Sequence, residues 1–437
     1  MSTATGSTTP ENTQNPQCTP GLPGAQNPLD RQDERLIVTR PGLAGLLANA
    51  FERIRGGDLG PLPVVVGLLI IGVIFQALNA NYLSPYNVSN LLWQSAAVGL
   101  MALGVVLVLL LGEIDLSVGS VAGLSSALFA VGAINQGWPV ALMLVLALAS
   151  GALTGLVYGL LYTRFGVPSF LVTLAGLLAL QGVQRYVIST GPSNSIALPS
   201  DLVLVRFGQS FVPAALAYAV IVLAIAARTV FALLGGRRRI VAGLSARTTR
   251  SVFLTSLLLL LLLLIPTAYS YQQGGRGIAL PVLLFIALTI ALDVALQRSS
   301  WGRSVYAIGG NVEGARRAGI NVNRVYVSVF VLCSTLAALG GLMLAARGGT
   351  ASVATAAADE NLNAIAAAVI GGTSLFGGRG RAWSALLGIL VIYAIFSGLN
   401  LLSLPDPIRF IIIGVVLLVA VIVDSLSRRT RAAAGRA

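Results

Sequence analysis

Three stretches of this chain carry residue types and spacings able to do chemistry inside an apolar environment. The first is Gly112-Glu113-Ile114-Asp115-Leu116-Ser117-Val118-Gly119-Ser120, directly after the apolar run Val105–Leu111. Carboxylates at membrane depth cost about 2.5–3.5 kcal/mol each on insertion scales and are seldom kept without a use. Asp115 is placed to cap a helix opening at Leu116-Ser117-Val118, work that Ser117 and Ser120 can share. It is also placed to face a permeation path or to tie two helices together. Gly112 and Gly119 permit a sharp turn and close helix approach. Glu113 calls for an interfacial position or an Arg partner.

The second stretch is Ala307-Ile308-Gly309-Gly310-Asn311-Val312-Glu313-Gly314-Ala315-Arg316-Arg317-Ala318-Gly319-Ile320, with Arg303 before it and Arg324 after it. A helix from Glu313 to Ala318 with Gly319 as its C-cap is predicted. Such a helix is rigid, exposed and bounded by turns, as an element must be if it passes a motor's movement to neighbouring spans. Gly309, Gly310, Asn311, Glu313, Arg316, Arg317 and Gly319 are the coupling candidates, although a positive-inside loop accounts for the charge alone. The third stretch is Gly371-Gly372-Thr373-Ser374-Leu375-Phe376-Gly377-Gly378-Arg379-Gly380. Gly371, Gly372, Gly377 and Gly378 cannot continue a stable helix, so irregular backbone is expected, either buried in protein or forming a tight turn between spans.

Polar side chains within apolar segments are the remaining candidates for a translocation path. With Asp115, Ser117 and Ser120 they are Trp93, Gln94, Gln181, Gln184, Asn361 and Asn363, and beyond these Ser95, Thr173, Ser397 and Asn400. A path for a neutral polyol wants aromatic faces and amides rather than charges. The same side chains serve equally well as interhelical hydrogen bonds, worth about 0.6 kcal/mol each.

The elements that must position these residues are apolar spans. Of 437 residues, 56% are hydrophobic and 10% charged, against about 25% charged in a soluble domain. The expected fold class is an all-α polytopic membrane protein. Apolar segments run near 63–80, 88–111, 116–134, 138–163, 168–189, 211–234, 252–272, 279–297, 326–346, 361–373, 382–402 and 407–424. This gives about 10–12 transmembrane segments in two loosely related halves. The segments 116–134, 168–189 and 361–373 are the candidates for broken or re-entrant half-helices. Asp359-Glu360-Asn361 stands in the second half much as Asp115 stands in the first, and paired broken segments point to a central site in transporters.

Residues 1–60 read as a polar, then basic, cytoplasmic tail. Residues 61–425 form the transmembrane domain, with basic cytoplasmic loops at 235–251 and 298–325, and residues 426–437 are a basic cytoplasmic tail. Alternating crossings place every heavily basic loop on one side, which puts both termini in the cytoplasm. The loop 190–210 then faces outward, where a soluble ligand-delivering protein can rest.

The missing residue types exclude chemistry. All 28 basic residues are Arg and no His is present. Without Lys there is no phosphate-binding loop of the usual type, so ATP hydrolysis and other enzyme activity are not expected of this chain. Without His, imidazole metal sites and Ser-His-Asp triads are excluded. Cys18 and Cys333 give no disulfide framework, and Cys333 reads as a small buried hydrophobe. The net charge of +13 reflects topology and contact with anionic lipid rather than nucleic acid.

The motifs, in this order, resemble the permease subunits of bacterial sugar ABC importers, the ribose/xylose/arabinose group within the branched-chain amino-acid permease superfamily. Ile114–Ser120, Ala307–Ile320 and Gly371–Gly380 match its three signatures, and Val167–Gly176 matches a further stretch. Glu113 and Gly314 depart from the usual Gly and Ala. Residues 235–272 look like the extra span of xylose-type members, which makes xylose the expected cargo. The resemblance implies a plasma-membrane permease, two copies of which, as a homodimer, form the path. It implies an extracytoplasmic sugar-binding protein as donor, and cytoplasmic ATPase subunits that bind the ATP and act through residues 302–324. The permease itself carries no cofactor and no metal. A branched-chain amino acid, a nucleoside or an autoinducer are alternative cargoes, and an ion-coupled secondary transporter is the rival class.

Overall fold

The computed structural model describes residues 62–189, 194–243, 248–354, 358–405, 407–409, 411–415 and 418. The expected tails at 1–60 and 426–437, and much of the segment 407–424, lie outside these residues. The elements in order are α1 (Leu62–Leu78), α2 (Pro85–Leu110), α3 (Val118–Ala130, continued by a π-turn at Val131–Asn135), α4 (Val140–Phe165) and α5 (Ser169–Ser189). Then come β1 (Ser195–Ala197), α6 (Val203–Gln209), α7 (Ala214–Val241), α8 (Thr249–Ser270) and α9 (Leu280–Arg298). The chain ends with α10 (Ser300–Gly310), α11 (Val312–Arg317), α12 (Val322–Gly348), β2 (Thr350–Ser352), α13 (Ala358–Ile370) and α14 (Trp383–Leu401).

Among the described residues nine helices are long and apolar enough to cross a membrane; α1 has 17 residues and falls just short. Of the three predicted half-helices α13 is short, with 13 residues or about 20 Å, two-thirds of a hydrocarbon core about 30 Å thick; α3 also has 13 α-helical residues and reaches 18 only with its π-turn. α5 runs 21 residues without a break. Pro168 precedes it, and the Pro168 carbonyl accepts the Val172 N–H at 3.2 Å, so this proline marks where the helix starts. The expected loop 235–251 begins within a helix, because α7 continues to Val241 and carries Arg237, Arg238 and Arg239 on its last turns.

By internal packing the described residues divide into 224–258 and a larger unit of 62–223 with 259–418. Within the first unit, Arg228 donates to Ser256 Oγ at 3.1 Å and Thr229 donates to the same oxygen at 2.8 Å. Arg228, an arginine within the apolar α7, thus has a hydroxyl partner within the α7–α8 hairpin.

Within the second unit α2, α3 and α12 form the centre. About 78% of each of their spanning windows is buried, against 22% for α4 and α5, so the latter two keep a face for lipid. α4 meets α12 through Gly151, Gly155 and Gly159, one face of the helix at intervals of four. A Cβ on Gly155 would collide with the Phe330 carbonyl, and one on Gly159 would lie 2.7 Å from Val327 Cα. This close backbone approach is the small-residue packing used where lipid removes the hydrophobic drive for helix association. The loops after α5 and α12 join through β1 and β2, paired antiparallel with Ile196 opposite Ala351.

Candidate translocation and coupling site

The charged interruption is a buried loop between α2 and α3. Gly112 turns the chain at φ 81°, and Asp115 follows at 1% exposure. Asp115 Oδ1 accepts from Ser117 N at 2.8 Å and from Ser117 Oγ at 2.7 Å, while Oδ2 accepts the Cys333 thiol at 3.7 Å. Asp115 therefore bonds the loop that leads into α3, a local side-chain turn of the kind Asp favours. Cys333 is fully buried and lies about 16 Å along α12 from its first residue, so the interruption reaches deep into the bundle.

Other elements hold the same loop. Asn361 on α13 donates to the Leu116 carbonyl at 2.7 Å and accepts from Gly119 N at 3.3 Å, supplying an acceptor for a free amide of the α3 N-terminus. Ser120 donates to the Leu177 carbonyl at 3.0 Å and Leu116 N donates to Thr173 Oγ1 at 3.2 Å. Glu113 is half-buried, and of the two settings expected of it, an interfacial position or an Arg partner, the Arg is not among its hydrogen-bond partners. Tyr162 and Ser169 each donate to its carboxylate at 2.6 Å, which gives the charge two hydrogen bonds from neutral groups. The two broken segments of the sequence, at Asp115 and at Asn361, thus meet.

The three glycine-bearing motifs also meet, at the end of α2. Gly378 N donates to the Leu110 carbonyl at 2.9 Å. A Cβ on Gly309 would collide with that same carbonyl and lie 2.5 Å from Gly378 N, and one on Gly377 would lie 2.7 Å from the Gly309 carbonyl and 2.9 Å from Gly112 N. Gly377 and Gly378 sit at φ 85° and 71°, where a side chain is strained. Gly371 abuts the Ser384 backbone, while Gly372 takes φ 96° in open space. Backbone touches backbone across the interruption, the basic loop and the Gly-rich segment, with no side chain between them.

The basic loop is more ordered than its sequence suggested. α10 is an unforeseen helix that buries Gly302, Val305 and Ile308. It starts where Ser299 Oγ accepts from Gly302 N at 3.0 Å. α11 covers Val312–Arg317, one residue ahead of the predicted span. Asn311 Oδ1 accepts from Gly314 N at 2.8 Å at one end. At the other, Ile320 N donates to Ala315 O at 3.1 Å and Gly319 N to Arg316 O at 3.0 Å. With Gly319 at φ 80° this is a complete Schellman closure. Arg316 pairs with Glu313 at 2.8 Å, both well exposed, a contact that contributes little on its own. Tyr306 on α10 donates to the Gly380 carbonyl at 2.9 Å. Burial, and then the neighbouring Asp293 charge, raise its phenol pKa, so it stays a donor. Asp293 accepts from Gln297 at 2.6 Å and pairs with Arg381 at 3.5 Å.

The remaining path candidates lie elsewhere. Trp93 donates to the Gly208 carbonyl at 2.7 Å, and Arg276 stands 6.0 Å over its ring. Gln184 donates to the Ser352 carbonyl at 3.1 Å and packs on Gly123. Asn363 donates to Glu360 at 3.4 Å, and Gln181 is half-buried on α5. Gln94 lines a cavity at the start of α2 together with Asn87 and Asn90, two residues the sequence reading passed over. The spacing 87, 90, 94 is one helical face and was the available signal.

A family model described as the permease component of branched-chain amino acid transport systems matches residues 87–421. The chain belongs to this permease family. It is 35% identical over 392 residues to the xylose transport system permease protein XylH of Escherichia coli K12, covering 89% of this chain and 97% of that protein. It is 33% identical over 370 residues to the ribose import permease protein RbsC of Bacillus subtilis, covering 84% and 92%. To the fructose import permease protein FrcC of Rhizobium meliloti it is 29% identical over 374 residues, covering 84% and 85%. No solved structure matches this permease. The resemblance first carried by three motifs thus extends along nearly the whole membrane domain. Among the described residues no cluster of side chains could hold a metal ion.

Proposed function

We propose that this permease is the membrane-spanning subunit of an ATP-driven importer for a neutral monosaccharide, xylose or another pentose. A separate extracytoplasmic binding protein delivers the sugar, and separate cytoplasmic ATPase subunits supply the energy. Two copies of the chain form the path in the plasma membrane, with the basic ends of α7, α9 and α11 and both termini in the cytoplasm beside anionic lipid. The similarity to xylose, ribose and fructose permeases supports the cargo class.

The observation that carries the proposal is α11, capped at both ends, exposed, and one residue from a helix whose Gly309 backbone abuts Leu110 and Gly378. A push on α11 moves α10, and α10 has no side chain at Gly309 to absorb the displacement. The force passes to the end of α2 and to the Gly-rich turn that leads into α14. α2 in turn opens into the loop that Asp115 and Asn361 hold. ATPase docking is tested by Arg316→Glu with Arg317→Glu. The double variant should insert and fold but lose co-purification of the ATPase subunit; undiminished co-purification would contradict docking at α11.

A further inference from the structure

A cavity of about 430 Å³ lies at the end of α2 remote from the glycine junction, lined mainly by Asn81, Tyr86, Asn90, Gln94, Ser397 and Asn400. That volume falls within the range of about 300–1,000 Å³ usual for small-molecule sites. No charged residue lines it.

Its frame is fixed. Asn87 accepts from Ser397 Oγ at 2.9 Å, bolting α2 to α14, and donates to the Tyr82 carbonyl at 2.7 Å. Asn79 donates to the Leu401 carbonyl at 3.1 Å and Tyr82 to the Ala394 carbonyl at 2.9 Å. The other four amides of the lining differ from this frame; Asn90 and Gln94 are half-buried, and Asn81 and Asn400 lie at the exposed rim. Among the described residues the side chains of Asn81, Asn90, Gln94 and Asn400 make no hydrogen bond to protein. Each amide offers a carbonyl acceptor and two N–H donors. Four amides free to do both, on rigid walls without charge, match a ligand whose groups both donate and accept and carry no charge. That is the chemistry of a polyol. The exposed Tyr86 ring at the same wall offers an apolar face for the C–H side of a sugar, and Arg276, 4.8 Å from its centroid, holds that ring in place.

We infer that this amide-lined cavity is a monosaccharide-binding site on the permease itself, at the far end of the two helices, α2 and α14, that start or finish at the glycine junction. Gln94 and Leu110 are about 24 Å apart along α2, so one helix joins the site to the coupling end. The inference rests on the importer proposal only for its choice of sugar. The test is saturation-transfer NMR on the full chain in nanodiscs with D-xylose as probe, leucine as a zwitterionic comparison, and no ATPase or binding protein present. The wild type should transfer to xylose and not to leucine. Asn90→Ala with Asn400→Ala should weaken xylose binding about tenfold, since two ligand hydrogen bonds are lost, while Thr163→Ala on α4, whose hydroxyl bonds only its own helix, leaves it unchanged. Absence of transfer to xylose in the wild type, equal transfer in the double variant, or a leucine signal that the double variant removes would each overturn the inference. ATP-dependent uptake, measured separately, decides the importer proposal whatever the NMR result.

Discussion

Gly309 and Gly310 are neighbours on α10, yet the structure gives their alanine variants opposite fates. A methyl group at Gly309 would strike the Leu110 carbonyl and stand 2.5 Å from Gly378 N. Both obstacles are backbone, and both are already tied to each other by a hydrogen bond, so neither can swing away as a side chain would. Relief requires moving α10 off the end of α2, an overpacking cost of about 1–3 kcal/mol. At Gly310 nothing lies within 4 Å, and alanine in a helix is favoured over glycine by up to about 1 kcal/mol. Thermal unfolding of the detergent-purified chain, followed by tryptophan fluorescence, should therefore show Gly309→Ala melting lower and Gly310→Ala melting at or above wild type. Gly309→Ala should also lower transport per ATP hydrolysed in the assembled complex more than its stability loss explains. Equal shifts for the two variants, or a Gly309→Ala protein that melts and transports as wild type, would refute the backbone junction as a structural and coupling element.

Three further variants probe the same framework. Asp115→Asn keeps an oxygen for the Ser117 N–H and Oγ–H donors, so it should retain most stability and transport, whereas Asp115→Ala leaves buried donors unpaired and should lose about 1–3 kcal/mol in denaturant unfolding. Complete loss of transport in a well-expressed Asp115→Asn would instead assign the charge a role of its own. Gly155→Ala forces α4 from α12 and should melt lower, while Gly182→Ala, with nothing within 4 Å, should not; matching melts would contradict the close packing. Asn361→Leu can neither accept from Gly119 N nor donate to the Leu116 carbonyl, so protection of the Gly119 amide from hydrogen exchange should fall, and unchanged protection would argue against Asn361 as the cap of α3.

Much of the basic loop was legible because caps are local. Asn311 three residues before Gly314, and Gly319 after a short basic run, announce α11 to within one residue. α10 was hidden because Gly309-Gly310 reads as a turn. In the fold that position lacks a side chain so that one helix can touch another, while Gly302, Val305 and Ile308 at intervals of three were the sign of a helical face. The meeting of Gly112, Gly309 and Gly377 joins backbone atoms far apart in sequence, and no local pattern encodes it. Glu113 is held by Tyr162 and Ser169, hydroxyls that tertiary packing supplies and sequence neighbours do not offer. The amide stripe at 87, 90 and 94 had the right period but was masked by the apolar residues between.

The most direct measurement is uptake of radiolabelled xylose, ribose and arabinose by a bacterium lacking its own pentose importers. The host would express this permease with a xylose-type binding protein and ATPase, in active and ATPase-dead versions. Uptake of one pentose should appear with the active ATPase and disappear with the dead one. Uptake that continues unchanged without a working ATPase would contradict ATP-driven import.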